Sequence, residues 1–113
     1  MIIDKDLVAA SATPLVLAIL SDGESYGYAI IKRVGELSGG ELEWTDGMLY
    51  PLLHRLERNG PGKAAWGQSA TGRKRNYYRL TDAGRNELEI LTREWTTFAD
   101  AMARLLGQKA REK

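Results

Sequence analysis

The sequence predicts a mainly α fold with one small β-hairpin, and two observations carry that reading. Four segments hold apolar residues at helical spacing. One stretch near the middle holds two short runs rich in Trp and Tyr around a glycine-bounded loop, the pattern of a hairpin. With 113 residues the chain has room for one modest core and not for two. An apolar share of 43% beside 27% charge excludes a disordered chain.

The elements follow in order. Residues 7–20 read as a helix apolar nearly all round, with Leu7, Val8, Leu15, Val16, Leu17, Ile19 and Leu20. Pro14 is expected to mark its first turn, where a missing N–H costs little. Ser21-Asp22-Gly23 makes a turn. A second helix is predicted from Tyr26 to Leu37, capped by Ser25, with Tyr26, Ile30, Val34 and Leu37 on one stripe. Ser38-Gly39-Gly40 ends it.

Residues 45–59 form the third predicted helix, with Thr45 as N-cap and Asp46 in the first turn. Leu49, Leu52, Leu53 and Leu56 point to one side. Gly47, Pro51, His54 and Arg58 lie opposite, flanked by Tyr50 and Arg55. Pro51 removes a hydrogen bond about two turns in. Asn59-Gly60-Pro61-Gly62 stops the helix. Strands are predicted at 63–66 and 75–80, with Arg73, Lys74 and Arg75 at the tip of the hairpin. Tyr77 and Tyr78 should face opposite ways. Trp66 is expected to pack the hairpin onto the body.

The last helix starts at a cap, Thr81. Leu88, Leu91, Trp95, Phe98, Met102 and Leu105 follow at alternating spacings of three and four, a heptad seam. Such a seam wants another helix. Packing on the chain's own core is the other reading, but three helices already supply that core, so the seam is expected to dimerise. The predicted organisation is therefore a unit at 1–80 with its hairpin at about 62–80, a dimerisation helix at 81–106, and a flexible tail at 107–113.

Composition narrows the function. The chain has no Cys and one His, which removes disulfides, thiolate nucleophiles and most zinc sites. No nucleophile–base pair, phosphate-binding glycine loop or metal cluster stands out, so neither catalysis nor a cofactor or metal is expected. The longest apolar run, residues 14–20, is far short of a membrane span, and neither end reads as a targeting segment. A cytoplasmic location is the expectation. Sixteen basic residues against fifteen acidic ones say little, but residues 61–80 hold five of the basic ones and no acid. A local basic patch of this kind is the electrostatic footprint of nucleic-acid binding.

Three helices followed by a hairpin with a basic tip are the parts of a winged helix-turn-helix. Its third helix would enter a major groove, and its wing would reach phosphates or the adjoining minor groove. A dimer would then read an inverted repeat. The competing reading is a winged-helix module that binds protein and has no sequence-specific affinity for DNA.

Specific motifs favour the first reading. Tyr26-Gly27-Tyr28-Ala29-Ile30, then Gly47-Met48-Leu49-Tyr50-Pro51-Leu52-Leu53-His54-Arg55-Leu56-Glu57, then Trp66-Gly67, and finally the run from Gly72 to Gly84 resemble the PadR family of bacterial transcriptional regulators. The single C-terminal helix is similar to the family's short branch, whose members dimerise through that helix and the first one. The resemblance implies a DNA-binding repressor. It implies DNA contacts at Tyr26, Tyr50, His54 and Arg55, with Thr45 at the start of the same helix counted among them. It implies further contacts at Arg73, Lys74 and Arg75 on the wing. It also implies that Trp95 lines a space between subunits, where it could stack a small planar hydrophobic or aromatic effector. One departure stands out. The family places two apolar residues where this chain has Pro61-Gly62, so a looser or shifted first wing strand is expected.

Overall fold

A computed structural model describes residues 4–68 and 71–111, with side chains described through residue 107. The elements run α1 (Lys5–Ser21), α2 (Gly27–Leu37), α3 (Asp46–Asn59), β1 (Gly62–Gln68), β2 (Lys74–Leu80) and α4 (Asp82–Arg111). The fold is a winged helix-turn-helix followed by one long helix, as the sequence predicts.

Helix α1 begins earlier than expected. Asp4 caps it by accepting a bond from the Asp6 N–H, and Pro14 lies inside the helix rather than in its first turn. Val8 and Ala12 are buried ahead of the proline, so core packing on both sides of Pro14 holds the helix through the lost hydrogen bond. Helix α2 is capped by Tyr26, with no side-chain cap bond, and not by Ser25. Ser25 instead exchanges two backbone bonds with Tyr78: its N–H donates at 2.9 Å and its carbonyl accepts at 2.7 Å. Of the predicted stripe on α2, Ile30 and Val34 are buried, Tyr26 is half-buried and Leu37 is exposed.

Helix α3 follows the predicted bounds closely. Thr45 Oγ1 accepts from the Met48 N–H at 3.3 Å, and Gly60 ends the helix with φ +105°, the left-handed geometry glycine adopts without a Cβ penalty. Trp44, just before the cap, and Leu49, in the second turn, are both buried, the arrangement of a hydrophobic staple. The core is centred where α1, α2 and α3 meet. Val16, Leu17, Ile30, Leu49 and Leu53 are fully buried, and Tyr78 and Leu80 of β2 complete it.

The two strands pair antiparallel over seven positions, from Gly62 opposite Leu80 to Gln68 opposite Lys74. Pro61-Gly62 therefore does not loosen the first strand, contrary to the sequence reading. Both residues are buried, and a Cβ at Gly62 would lie 3.4 Å from Leu56 Cβ, so the glycine lets the strand root sit against α3. Thr81 then ties the root down. Its N–H donates to the Pro61 carbonyl at 3.1 Å and its hydroxyl donates to the Gly60 carbonyl at 2.6 Å. The same hydroxyl accepts from the Gly84 N–H at 3.1 Å, which caps α4. Gly84 is buried here, with no room for a side chain between Pro61 and Leu80.

Helix α4 packs its first half on α1 and β2 and then leaves the body. Leu88 and Leu91 lie half-buried against the core, whereas Phe98, Met102, Leu105 and Leu106 are exposed. The helix passes through Gly107 to Arg111, so residues 107–111 are helical rather than the predicted flexible tail; residues 112–113 lie outside those described.

Candidate nucleic-acid interface

The outer face of α3 is formed by residues the core does not need. Tyr50, Pro51, His54, Arg55 and Arg58 are all exposed, because the buried stripe of Leu49, Leu52, Leu53 and Leu56 fixes the helix phase. Between this face and the wing lies a cleft of about 670 Å³. Tyr26, Tyr50 and His54 line one side, and Trp66, Arg73, Lys74, Arg75 and Asn76 line the other. Of the residues the sequence singled out for DNA, the cleft thus gathers six. Thr45 and Arg55 lie outside it, both exposed on or beside α3, and the Thr45 hydroxyl already serves as a cap.

The wing is basic on its approach to this cleft. Arg73 lies in the loop, but Lys74 and Arg75 are already paired in β2, opposite Gln68 and Gly67. The predicted tip is therefore shorter than the sequence suggested. Ser69 and Ala70, in the same loop, fall outside the described residues. Trp66 corrects another expectation. It is 73% exposed and does not pack the wing to the body. Tyr78 does that instead, as one of the most deeply buried side chains. Burial pushes its phenol above the ordinary range, with the Glu57 carboxylate and Tyr50 adding to the effect. Its neighbour Tyr77 turns the other way, and the Asn76 amide donates to the Tyr78 hydroxyl at 3.2 Å.

Close approaches fix several of these side chains. Gly27 opens α2 where a Cβ would overlap the Tyr50 hydroxyl and ring, so the Tyr50 ring lies directly over the first turn of α2. Arg75 stacks its guanidinium 4.1 Å above the Tyr26 ring, and Tyr26 meets Tyr77 edge to face at 5.5 Å. Sequence reasoning missed these contacts and the Ser25–Tyr78 bridge. The bridge joins residues 53 positions apart and leaves no local signal. Gly67, read from the sequence as one bound of the hairpin loop, lies inside β1 beside Tyr77.

A second concavity of about 450 Å³ lies where α4 crosses the start of α1. Leu7, Ala10, Leu91, Glu94, Trp95 and Phe98 line it. Trp95 and Phe98 meet edge to face at 5.8 Å. Among the described residues no group of three or more His, Cys, Asp or Glu could hold a metal, and no helix is long and apolar enough to cross a membrane.

The family model for PadR-like transcriptional regulators matches residues 16–90, from α1 through the wing into α4. The chain belongs to the PadR-like family. Solved structures agree. A PadR family transcriptional regulator from Eggerthella lenta shares 33% identity at a TM-score of 0.72, covering 89% of this chain and 82% of that one. A PadR family regulator from Clostridium difficile shares 33% at 0.73, covering 85% and 98%. A transcriptional regulator from Clostridium thermocellum shares 27% at 0.79, covering 88% and 96%. An uncharacterized protein of Lysinibacillus sphaericus is 28% identical over 91 residues, 80% of this chain and 84% of that protein. As a PadR-like winged helix the chain belongs among DNA-binding transcriptional regulators.

Proposed function

We propose that this PadR-like regulator acts in the cytoplasm as a homodimeric repressor that binds an inverted-repeat operator, and that a small planar hydrophobic or aromatic effector releases it. The observation that carries the DNA half of this reading is the cleft between α3 and the wing, where exposed Tyr50 and His54 face Arg73, Lys74 and Arg75. Tyr50, His54 and Arg55 would meet base edges and the walls of the major groove. Lys74 and the two flanking arginines would meet phosphates, where a guanidinium fork or a point charge gains most.

The exposed half of α4 supports the dimer. Phe98, Met102, Leu105 and Leu106 form an exposed apolar stretch, and Leu7 and Ala10 of α1 continue it. A single soluble chain rarely exposes so continuous a patch without use for it. Two copies joined through these faces would set two recognition helices at one fixed separation. The groove beside Trp95 supports the effector. A flat ligand stacked there would act only by favouring one separation over another, since equal affinity for both shifts nothing.

The test is stoichiometry and symmetry together. Light scattering should give two chains free in solution and two per duplex carrying one inverted repeat. Scrambling either half-site should abolish tight binding. A monomer that binds one half-site as well as the whole, or equal binding to any duplex, would refute the reading, and the second result would favour a protein-interaction module.

A further inference from the structure

The strands of the wing hold more than a hairpin needs. Tyr26, Arg75 and Tyr77 make a stack in which the guanidinium lies 4.1 Å above one ring, and that ring meets the other at 5.5 Å with 78° between planes. Arg75 and Tyr77 share one face of β2, and Tyr26 stands at the entry to α2. On the neighbouring strand Gly67 is paired with Arg75, and a Cβ there would lie 2.9 Å from Tyr77 Cδ2. Alongside the stack, Ser25 and Tyr78 exchange backbone bonds of 2.9 and 2.7 Å, so the chain before α2 extends the hairpin by one bridge. Gly27, two residues beyond Ser25, lies directly under the Tyr50 ring of α3. The first turn of α2 thus touches both surfaces of the cleft.

We propose that the Arg75–Tyr26–Tyr77 stack is a positioning device that fixes the wing against the recognition helix, so that Tyr26 governs DNA binding through wing geometry and not by a contact of its hydroxyl. The affinity part of this inference rests on the DNA-binding reading above; the positioning part does not. The physical basis is differential. A hairpin of two strands is marginal alone. It keeps one orientation only where other elements over-determine it, and here the bridge at Ser25 and the aromatic stack add to its buried root. The role also explains a glycine at position 67. Its φ is not in the left-handed range, so the backbone has no need of glycine there. The need is space for the Tyr77 ring.

Three variants separate a ring-face role from a hydroxyl contact. Tyr26→Phe keeps the face on which Arg75 stacks, Tyr26→Leu removes it, and Gly67→Ala displaces Tyr77 while leaving every polar group in place. The first measurement needs no DNA. In the free protein, amide exchange at Tyr78, whose N–H donates to the Ser25 carbonyl, should speed up about two- to fivefold in Tyr26→Leu and Gly67→Ala, the loss expected from one cation–π contact. Tyr26→Phe should match the parent. The second measurement is binding to a cognate duplex. Affinity should fall in Tyr26→Leu and Gly67→Ala with the salt dependence unchanged, since no charge has been removed, and Tyr26→Phe should bind as the parent does. Unchanged exchange at Tyr78 in Tyr26→Leu would overturn the proposal. So would a Tyr26→Phe variant that loses as much affinity as Tyr26→Leu. A parent protein that binds no duplex would sink the DNA reading and leave the exchange result to decide the positioning role.

Discussion

Replacing Gly84 with alanine would test how α4 is set against the root of the wing. The added Cβ would overlap the Pro61 carbonyl oxygen and lie 2.7 Å from Leu80 Cδ1 and 3.0 Å from Leu80 Cγ. Neither neighbour can yield cheaply. The Pro61 carbonyl is held by the Thr81 N–H at 3.1 Å, and Leu80 is buried in the core. Helix propensity alone favours alanine over glycine by up to about 1 kcal/mol. Forcing a methyl into a filled site costs about 1–3 kcal/mol, and here the overlap is with backbone, so the upper part of that range applies. The net expectation is a loss of about 1–2 kcal/mol. Gly107→Ala is the matched control: it lies in the same helix, and a Cβ there meets nothing within 4 Å. It should gain about 0.5–1 kcal/mol. Urea denaturation at one fixed protein concentration measures both, because association would otherwise couple to stability. If Gly84→Ala is as stable as the parent, or gains as Gly107→Ala does, the wing root is not packed as described.

Other expectations are more direct. Arg73→Ala and Lys74→Ala should each lower the slope of log affinity against log salt by about 0.9, measured on one duplex across a salt series; an unchanged slope would remove that residue from the phosphate contacts. Phe98→Glu combined with Leu105→Glu should convert the proposed dimer to a folded monomer, since both side chains are exposed in the single chain; light scattering and circular dichroism together would show it. An unfolded product, or a dimer that persists, would place the interface elsewhere. Stability should fall as pH rises above about 10. The fold holds the Tyr78 phenol neutral by burial, so its pKa is raised over the unfolded value; stability is fully present below the unfolded pKa and is lost as pH climbs through the folded one. Tyr78→Phe should lose less of its own stability between pH 8 and 11 than the parent does, and an equal loss would show that other groups set the alkaline limit.

The helices were legible in the sequence wherever the stripe was strong and the ends were signalled. The third helix is the clearest case, because Thr45, the four leucines and Gly60 each act locally. The hairpin was legible in kind, since its aromatic runs and bounding glycines are local signals too. What failed depended on tertiary contacts. Pro14 reads as a helix start, yet burial of Val8 and Ala12 carries α1 through it. Pro61-Gly62 reads as a loosened strand, yet Thr81 and Leu56 turn the same residues into a packed root. Trp66 reads as a hinge because large aromatics are usually buried, but Tyr78 occupies that place. The six-residue seam on α4 divides because the helix outruns the body: Leu88 and Leu91 serve the core, and the later positions face away from it. In the site, helix phase was enough to place Tyr50 and His54 on the outer face. It could not show that Tyr26 and Arg75 stack on each other, because they meet only through the tertiary pairing of the chain before α2 with β2.

The central claim is that the α3–wing cleft reads a DNA sequence. Fluorescence anisotropy of labelled DNA from immediately upstream of the protein's own gene, beside a scrambled duplex and across a salt series, tests it most directly. The account predicts tight binding to the upstream fragment alone, with a steep salt dependence that Lys74→Ala makes shallower. Equal, weak binding to both duplexes would contradict it and leave only a basic surface.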